Sequence, residues 1–247
     1  MKSLLLTLAA LAPVAAEASI QIPGAPLDPV ADTFGAIPAA TFGGSGIPNN
    51  QMAISTAVHN GNTITLGIAA TQRFDSAPQP LADGMGGYQA LNGESDPGLA
   101  RWNFSFYATI DGPGSFEDYR LVLDYDMDNA AGTPFDMHGQ WDLTMGAAML
   151  GADLSTLRTI ETSQNLGFGF LDTPAVGVIM PPSASFDPFD VGEYTFLLSV
   201  HHPFIGGELI DSVAMAVNVV PEPTAAGLWG VLVGVAGLTT RRGALLG

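Results

Sequence analysis

The most constraining feature of this chain is a two-residue period of apolar side chains, interrupted by turn residues, over most of its length. In "QMAISTAVHNGNTITLGIAA", Met52, Ile54, Thr56 and Val58 alternate with smaller or polar residues, and Ile64, Leu66 and Ile68 repeat the pattern. Asn60-Gly61 lies between the two runs. That dipeptide suits a type I′ turn, which needs positive φ at both central positions, so a tight antiparallel hairpin is expected. "RWNFSFYATI" places Trp102, Phe104, Phe106 and Ala108 on one face, with Asn103, Ser105 and Tyr107 on the other. "YRLVLDYDMD" sets Leu121, Leu123, Tyr125 and Met127 against Val122, Asp124 and Asp126.

Further strands are expected at 165–171, 193–201 and 208–219, and the only helical candidate in the body is 145–158. Many short strands separated by Gly, Pro, Asn and Asp clusters read as an all-β fold, a β-sandwich or jelly roll of antiparallel strands. Residues 51–219 would form this domain. Residues 19–50, rich in Pro, Gly and Ala, read as an irregular lead-in, and 76–98 as a long loop. With no cysteine, disulfides and thiolate metal sites are excluded, and stability must come from core burial.

Charge is lopsided. The formal net charge is −17, and of seven basic residues three (Lys2, Arg241 and Arg242) sit near the ends. The body keeps Arg73, Arg101, Arg120 and Arg158 and has no lysine. Such a surface repels polyanions, so nucleic-acid binding is set aside.

The two ends carry addresses. Lys2, the apolar run 4–12 and the small residues of Ala16-Glu17-Ala18 read as a secretory signal peptide over 1–18, a short signal helix cleaved on export. At the other end, 224–240 carries no charge. As a helix it would be about 25 Å long, at the short end of what crosses a hydrocarbon core of roughly 30 Å. Arg241 and Arg242 follow at once, the positive-inside arrangement for a single transmembrane helix. Pro221 and Pro223 cannot lie inside a helix and mark where it can begin.

Val220-Pro221-Glu222-Pro223, the apolar run and the terminal arginine pair together resemble the PEP-CTERM sorting signal of Gram-negative bacteria. "WNFSFYATIDG", "QNLGFGFLD" and "FDPFDVGEYTFLLSV" are similar to bodies that precede such tails. The resemblance implies export, an all-β body, and recognition of Pro221, Glu222 and Pro223 by an exosortase-type membrane enzyme, with Arg241 and Arg242 completing the signal. It further implies an exopolysaccharide, biofilm or floc-matrix setting at the cell surface, with at least transient membrane anchoring. The triplet would be a substrate, and none of its residues catalytic.

Candidate chemistry in the body is sparse. Asp124, Asp126 and Asp128 recur every second residue, which on a strand puts three carboxylates on one face roughly 6.6 Å apart in succession. Such oxygen-rich sets suit Ca²⁺, although the spacing does not match an EF-hand loop. Paired carboxylates also serve glycosidases, but in so acidic a chain some pair falls at that separation by chance. His201 and His202 would point to opposite faces of a strand and chelate one ion poorly. Ser45 in "GGSGI" lacks the context of a nucleophile elbow. Tyr88 and Trp141, both expected in loops, are candidate sugar-stacking rings. The resulting expectation is a structural or adhesive exported protein without enzymatic activity. The alternatives are a carbohydrate- or calcium-binding module and, behind it, a secreted glycoside hydrolase.

Overall fold

The computed structural model describes residues 31–222 apart from 75, 76 and 205. The signal-peptide reading, Pro223, the apolar run 224–240, Arg241 and Arg242 lie outside the described residues. No helix among those described is long and apolar enough to cross a membrane.

The chain is built from strands β1 (Thr33–Gly35), β2 (Met52–His59), β3 (Asn62–Gln72), β4 (Leu81–Ala82), β5 (Gly87–Leu91), β6 (Glu94–Asp96) and β7 (Leu99–Ala100). They are followed by β8 (Trp102–Asp111), β9 (Arg120–Tyr125), β10 (Gly139–Asp142), helix α1 (Leu143–Met149), β11 (Thr159–Gln164), β12 (Ile179–Met180), β13 (Gly192–His201) and β14 (Leu209–Val220). A five-stranded sheet runs β1-β2-β3-β8-β11 and a seven-stranded sheet runs β12-β10-β9-β13-β14-β5-β4, while β6 and β7 form a small separate hairpin. The two large sheets pack face to face around one core, giving the expected all-β, sandwich-like architecture.

Local chemistry accounts for the clearest elements. Asn60 and Gly61 have φ of 51° and 79°, and β2 pairs with β3 directly across them, from His59↔Asn62 to Ala53↔Ile68. That register places Ile64, Leu66 and Ile68 on the inner face, in line with Phe104, Phe106 and Ala108 of β8. From the other sheet, Phe196 meets Phe104 at 5.0 Å between ring centroids, and Tyr194 meets Trp102 at 5.9 Å. Such aromatic pairs add about 1 kcal/mol each beyond the area they bury. Asp142 starts α1 by accepting a hydrogen bond from the Met145 amide at 2.8 Å, an N-cap that explains why the helix begins two residues earlier than expected.

Three stretches depart from the sequence reading. The lead-in is not merely irregular: β1 pairs with β2, and Ile37, Ala40 and Phe42 are buried against the outer face of the five-stranded sheet. Gly67 permits this close cover, since a Cβ there would lie 2.5 Å from Ile37 Cδ1 and 2.7 Å from Met52 Cε. The long loop at 76–98 contains β4, β5 and β6, and β5 pairs with β14 in parallel, so the seven-stranded sheet is not purely antiparallel. The strand expected at 165–171 lies earlier, as β11, and pairs with β8.

The reason for that last shift is Asn165, whose side chain is fully buried. Its Oδ1 accepts from the amides of Ala100 and Gly167, at 3.0 and 3.1 Å. Its Nδ2 donates toward the carbonyls of Ala100 and Trp102 and Oδ1 of Asn103, at 3.0, 2.8 and 2.9 Å. These bonds draw the chain out of the ladder and over the start of β8. Asn165→Ala leaves several buried backbone groups without partners, and we expect a loss of about 3 kcal/mol. Thermal melts should show a correspondingly lower Tm, and an unchanged Tm would remove Asn165 from this role.

Candidate functional site

Strand β9 stops at Tyr125, so Asp124 alone of the three aspartates lies on it, and each of the three is held by different partners. Asp124 is half-buried and accepts from Gln140 Nε2 at 3.0 Å, with Arg120 also nearby. Asp126 is 1% exposed, its Oδ1 accepting from the Asp128 amide at 2.8 Å. Asp128 Oδ1 accepts from the Ala130 amide at 2.9 Å. The carboxylates are therefore occupied in three separate local tasks. Among the described residues no group of three or more His, Cys, Asp or Glu is arranged to hold a metal ion. Asp124, Asp126 and Asp128 thus form no such group.

Asp126 belongs instead to a buried titrating pair. Its Oδ2 lies 3.9 Å from His138 Nε2, and both residues are buried. Burial pushes the Asp126 carboxyl up to about 6, with the charges of Asp128 and Glu193 adding to the rise. Burial holds the His138 imidazole down to about 4, against the opposing pull of the Thr133 backbone and Asp136. A raised acid beside a depressed base has the electronic character of an acid–base pair, and both groups are buried.

The aromatic candidates separate. Tyr88 is not in a loop: it lies on β5, is 2% exposed, and its hydroxyl donates to the Gln51 carbonyl at 2.7 Å. Its ring packs inside, so it offers no platform to a sugar. Trp141 lies on β10 rather than in a loop, and it is half-buried. It lines a cleft of about 770 Å³, open where the β11 edge of one sheet meets the β10–β12 edge of the other. The Trp141 ring lies 5.9 Å from Phe106 and 5.3 Å from Phe170, both edge-on. Gly146 leaves room for the indole, since a Cβ there would stand 3.1 Å from Nε1. Leu143, Ile160 and Val178 complete an apolar lining. Met149 and Leu150 on the same lining are exposed.

The histidines are held within the fold. His201 Nε2 contacts Ser199 Oγ at 2.9 Å and Nδ1 contacts the Gly207 carbonyl at 3.2 Å, while burial lowers its pKa. His202 packs edge-on against His59 at 5.1 Å, and His59 against Tyr119 at 5.7 Å.

Pro221 and Glu222 follow the last strand residue directly. The Glu222 amide donates to Asn92 Oδ1 at 3.1 Å, and its carboxylate pairs with Arg101 Nη1 at 3.1 Å. Asn92 and Arg101 carry no sequence signal for this role, since each is a lone polar residue far from the tail along the chain.

The paired titration has a measurable consequence. Between roughly pH 4 and 6 the folded chain keeps a proton on Asp126 that the unfolded chain, with an ordinary value of 3.8, has lost. Its contribution to stability therefore falls as pH rises. His138 acts oppositely: from about 4 to 6.5 the unfolded chain binds a proton that the folded chain refuses, so stability rises with pH. Each slope is up to about 1.4 kcal/mol per pH unit, and in the parent chain they largely offset. In Asp126→Asn the falling contribution is gone, and Tm measured at pH 4, 5 and 6 should climb more steeply than in the parent. Parallel curves would contradict the assignment. Set beside known proteins, the chain matches no protein-family model and no curated protein.

Proposed function

We propose that this protein is exported and acts as a structural or adhesive component of the cell surface or extracellular polysaccharide matrix. In this reading the Pro221-Glu222-Pro223 triplet is presented to an exosortase-type enzyme. The segment 224–240, with Arg241 and Arg242 behind it, anchors the chain in the membrane at least transiently.

The observation that carries the reading is the position of the triplet. Strand β14 closes at Val220 and the triplet begins at the next residue, just past the last described strand. The charge distribution supports it as well. Arg73, Arg101 and Arg120 each pair with an acidic side chain, and Arg158 Nη1 donates to the carbonyls of Ser155 and Leu157. The described surface therefore presents excess negative charge, which keeps an exported protein dispersed and away from nucleic acid. The carbohydrate- or calcium-binding module is the second reading, and the aromatic cleft at Trp141 favours its carbohydrate form.

Localisation tests the proposal. The full chain and a variant lacking residues 221–247 would be produced in a Gram-negative host that carries an exosortase. The full chain should be recovered at the surface or in the matrix fraction, and the truncated one released without retention. Recovery of both in one compartment and in the same form would overturn the sorting account.

A further inference from the structure

The cover over the five-stranded sheet stops short of its edge and leaves a second cavity, of about 570 Å³, on the outer face. One wall is the glycine-rich turn after Phe42. Glu161 of β11 fixes that wall by accepting from the Thr41 amide and hydroxyl and from the Phe42 amide, at 2.8, 2.5 and 2.9 Å. The floor holds Asn103 and Ser163, joined by an Asn103 Nδ2 to Ser163 Oγ bond of 3.1 Å. Ser105 and Asn165 brace the pair from behind, at 2.9 Å each, so the floor is preset rather than adaptable.

The opposite wall is Gln72, Arg73 and Phe74. The Arg73 guanidinium lies 4.6 Å from the Phe74 ring centroid and 5.4 Å from that of Phe168, and it bonds Asp96 at 3.2 Å. Phe74 is thereby held by a stacked cation, yet 58% of it remains exposed. Three non-glycine residues among those described have positive φ: Asn60, Phe42 at 54° and Phe74 at 62°. Asn60 makes the hairpin turn, which asparagine tolerates. The two phenylalanines are bulky residues in a conformation they resist, and both line this one cavity. Strain of that kind persists where the surroundings impose it, and it gathers at binding sites.

Charge narrows the ligand. Among the described residues no acidic side chain lines this cavity, and the cation described there, Arg73, is matched by Asp96. A polyanion gains little here and meets an acidic surface around it. An exposed aromatic face beside amides and hydroxyls suits a ring with a C–H face and several hydroxyls. We propose that this cavity binds a neutral pyranose unit of a polysaccharide, with Phe74 stacking on the ring and Gln72, Asn103 and Ser163 bonding its hydroxyls. The source of the polymer rests on the matrix reading above; the site itself does not.

Affinity electrophoresis of the full chain in mild detergent tests the proposal, with gels containing a neutral β-glucan, dextran or polygalacturonate. At least one neutral glucan should retard the protein. Phe74→Gly should weaken that retardation at least tenfold while leaving Tm unchanged or higher, because glycine accepts the left-handed backbone. Gln72→Ala should weaken it severalfold, and it decides the matter should Phe74→Gly fail to fold. Retardation by polygalacturonate alone, no retardation by either neutral glucan, or variants that bind like the parent would each overturn the proposal. Retardation does not depend on where the protein travels, so sorting and sugar binding fail separately.

Discussion

No disulfide ties the two sheets together, so the interdigitation of their inner faces has to hold the protein. With no cysteine in the chain, Phe104 against Phe196 and Trp102 against Tyr194 form the middle of that contact. Beyond it, the hydroxyl of Ser55 on β2 bonds the carboxylate of Asp211 on β14 at 2.8 Å, a polar tie between sheets in a protected place. The sheets differ in strand number, and their edges do not close on one another. The Trp141 cleft opens where these edges meet. The outer face of the smaller sheet would be a second exposed apolar surface, and the lead-in segment covers it incompletely. Both cavities are therefore by-products of how two unequal sheets are made to share one core.

The sequence period revealed what depended on neighbouring residues. Asn60-Gly61 announced its turn because positive φ at two adjacent positions needs those residue types, and the rows of β8 and β13 were legible because one face of each is buried. What escaped depends on partners distant in the chain. Tyr88 sits in a run of glycines that looks like a loop until β14, more than a hundred residues on, supplies a ladder for it. Alternation alone does not say where a strand ends, so in the sequence the aspartate row runs on past Tyr125, the last residue of β9. Asn165 looked like the first residue of a strand, when its amide is what prevents one. Phe74 carried no apolar pattern at all, and its importance emerges only from its backbone conformation and from the stacked Arg73.

Burial also changes the meaning of the acidic composition. Asp126 is buried and Asp211 partly so, and desolvation pushes both carboxyls upward, so the acidity of the chain is not wholly a surface property. Much of the remaining acid is spent on local geometry: Asp142 caps α1 and holds Arg120, and Glu161 fixes the wall of the outer cavity. The net charge thus understates how many of these groups are committed to architecture.

The final strand has a mechanical implication. β14 is an interior strand of its sheet, antiparallel to β13 on one side and parallel to β5 on the other, and it ends where the tail departs. A pull transmitted through the tail runs along the strand axis and loads the hydrogen bonds of both flanking ladders simultaneously, instead of peeling them one by one. Under the anchoring proposed above, a domain hung from its last strand in this manner would meet such a pull in shear, the geometry in which paired strands part least easily.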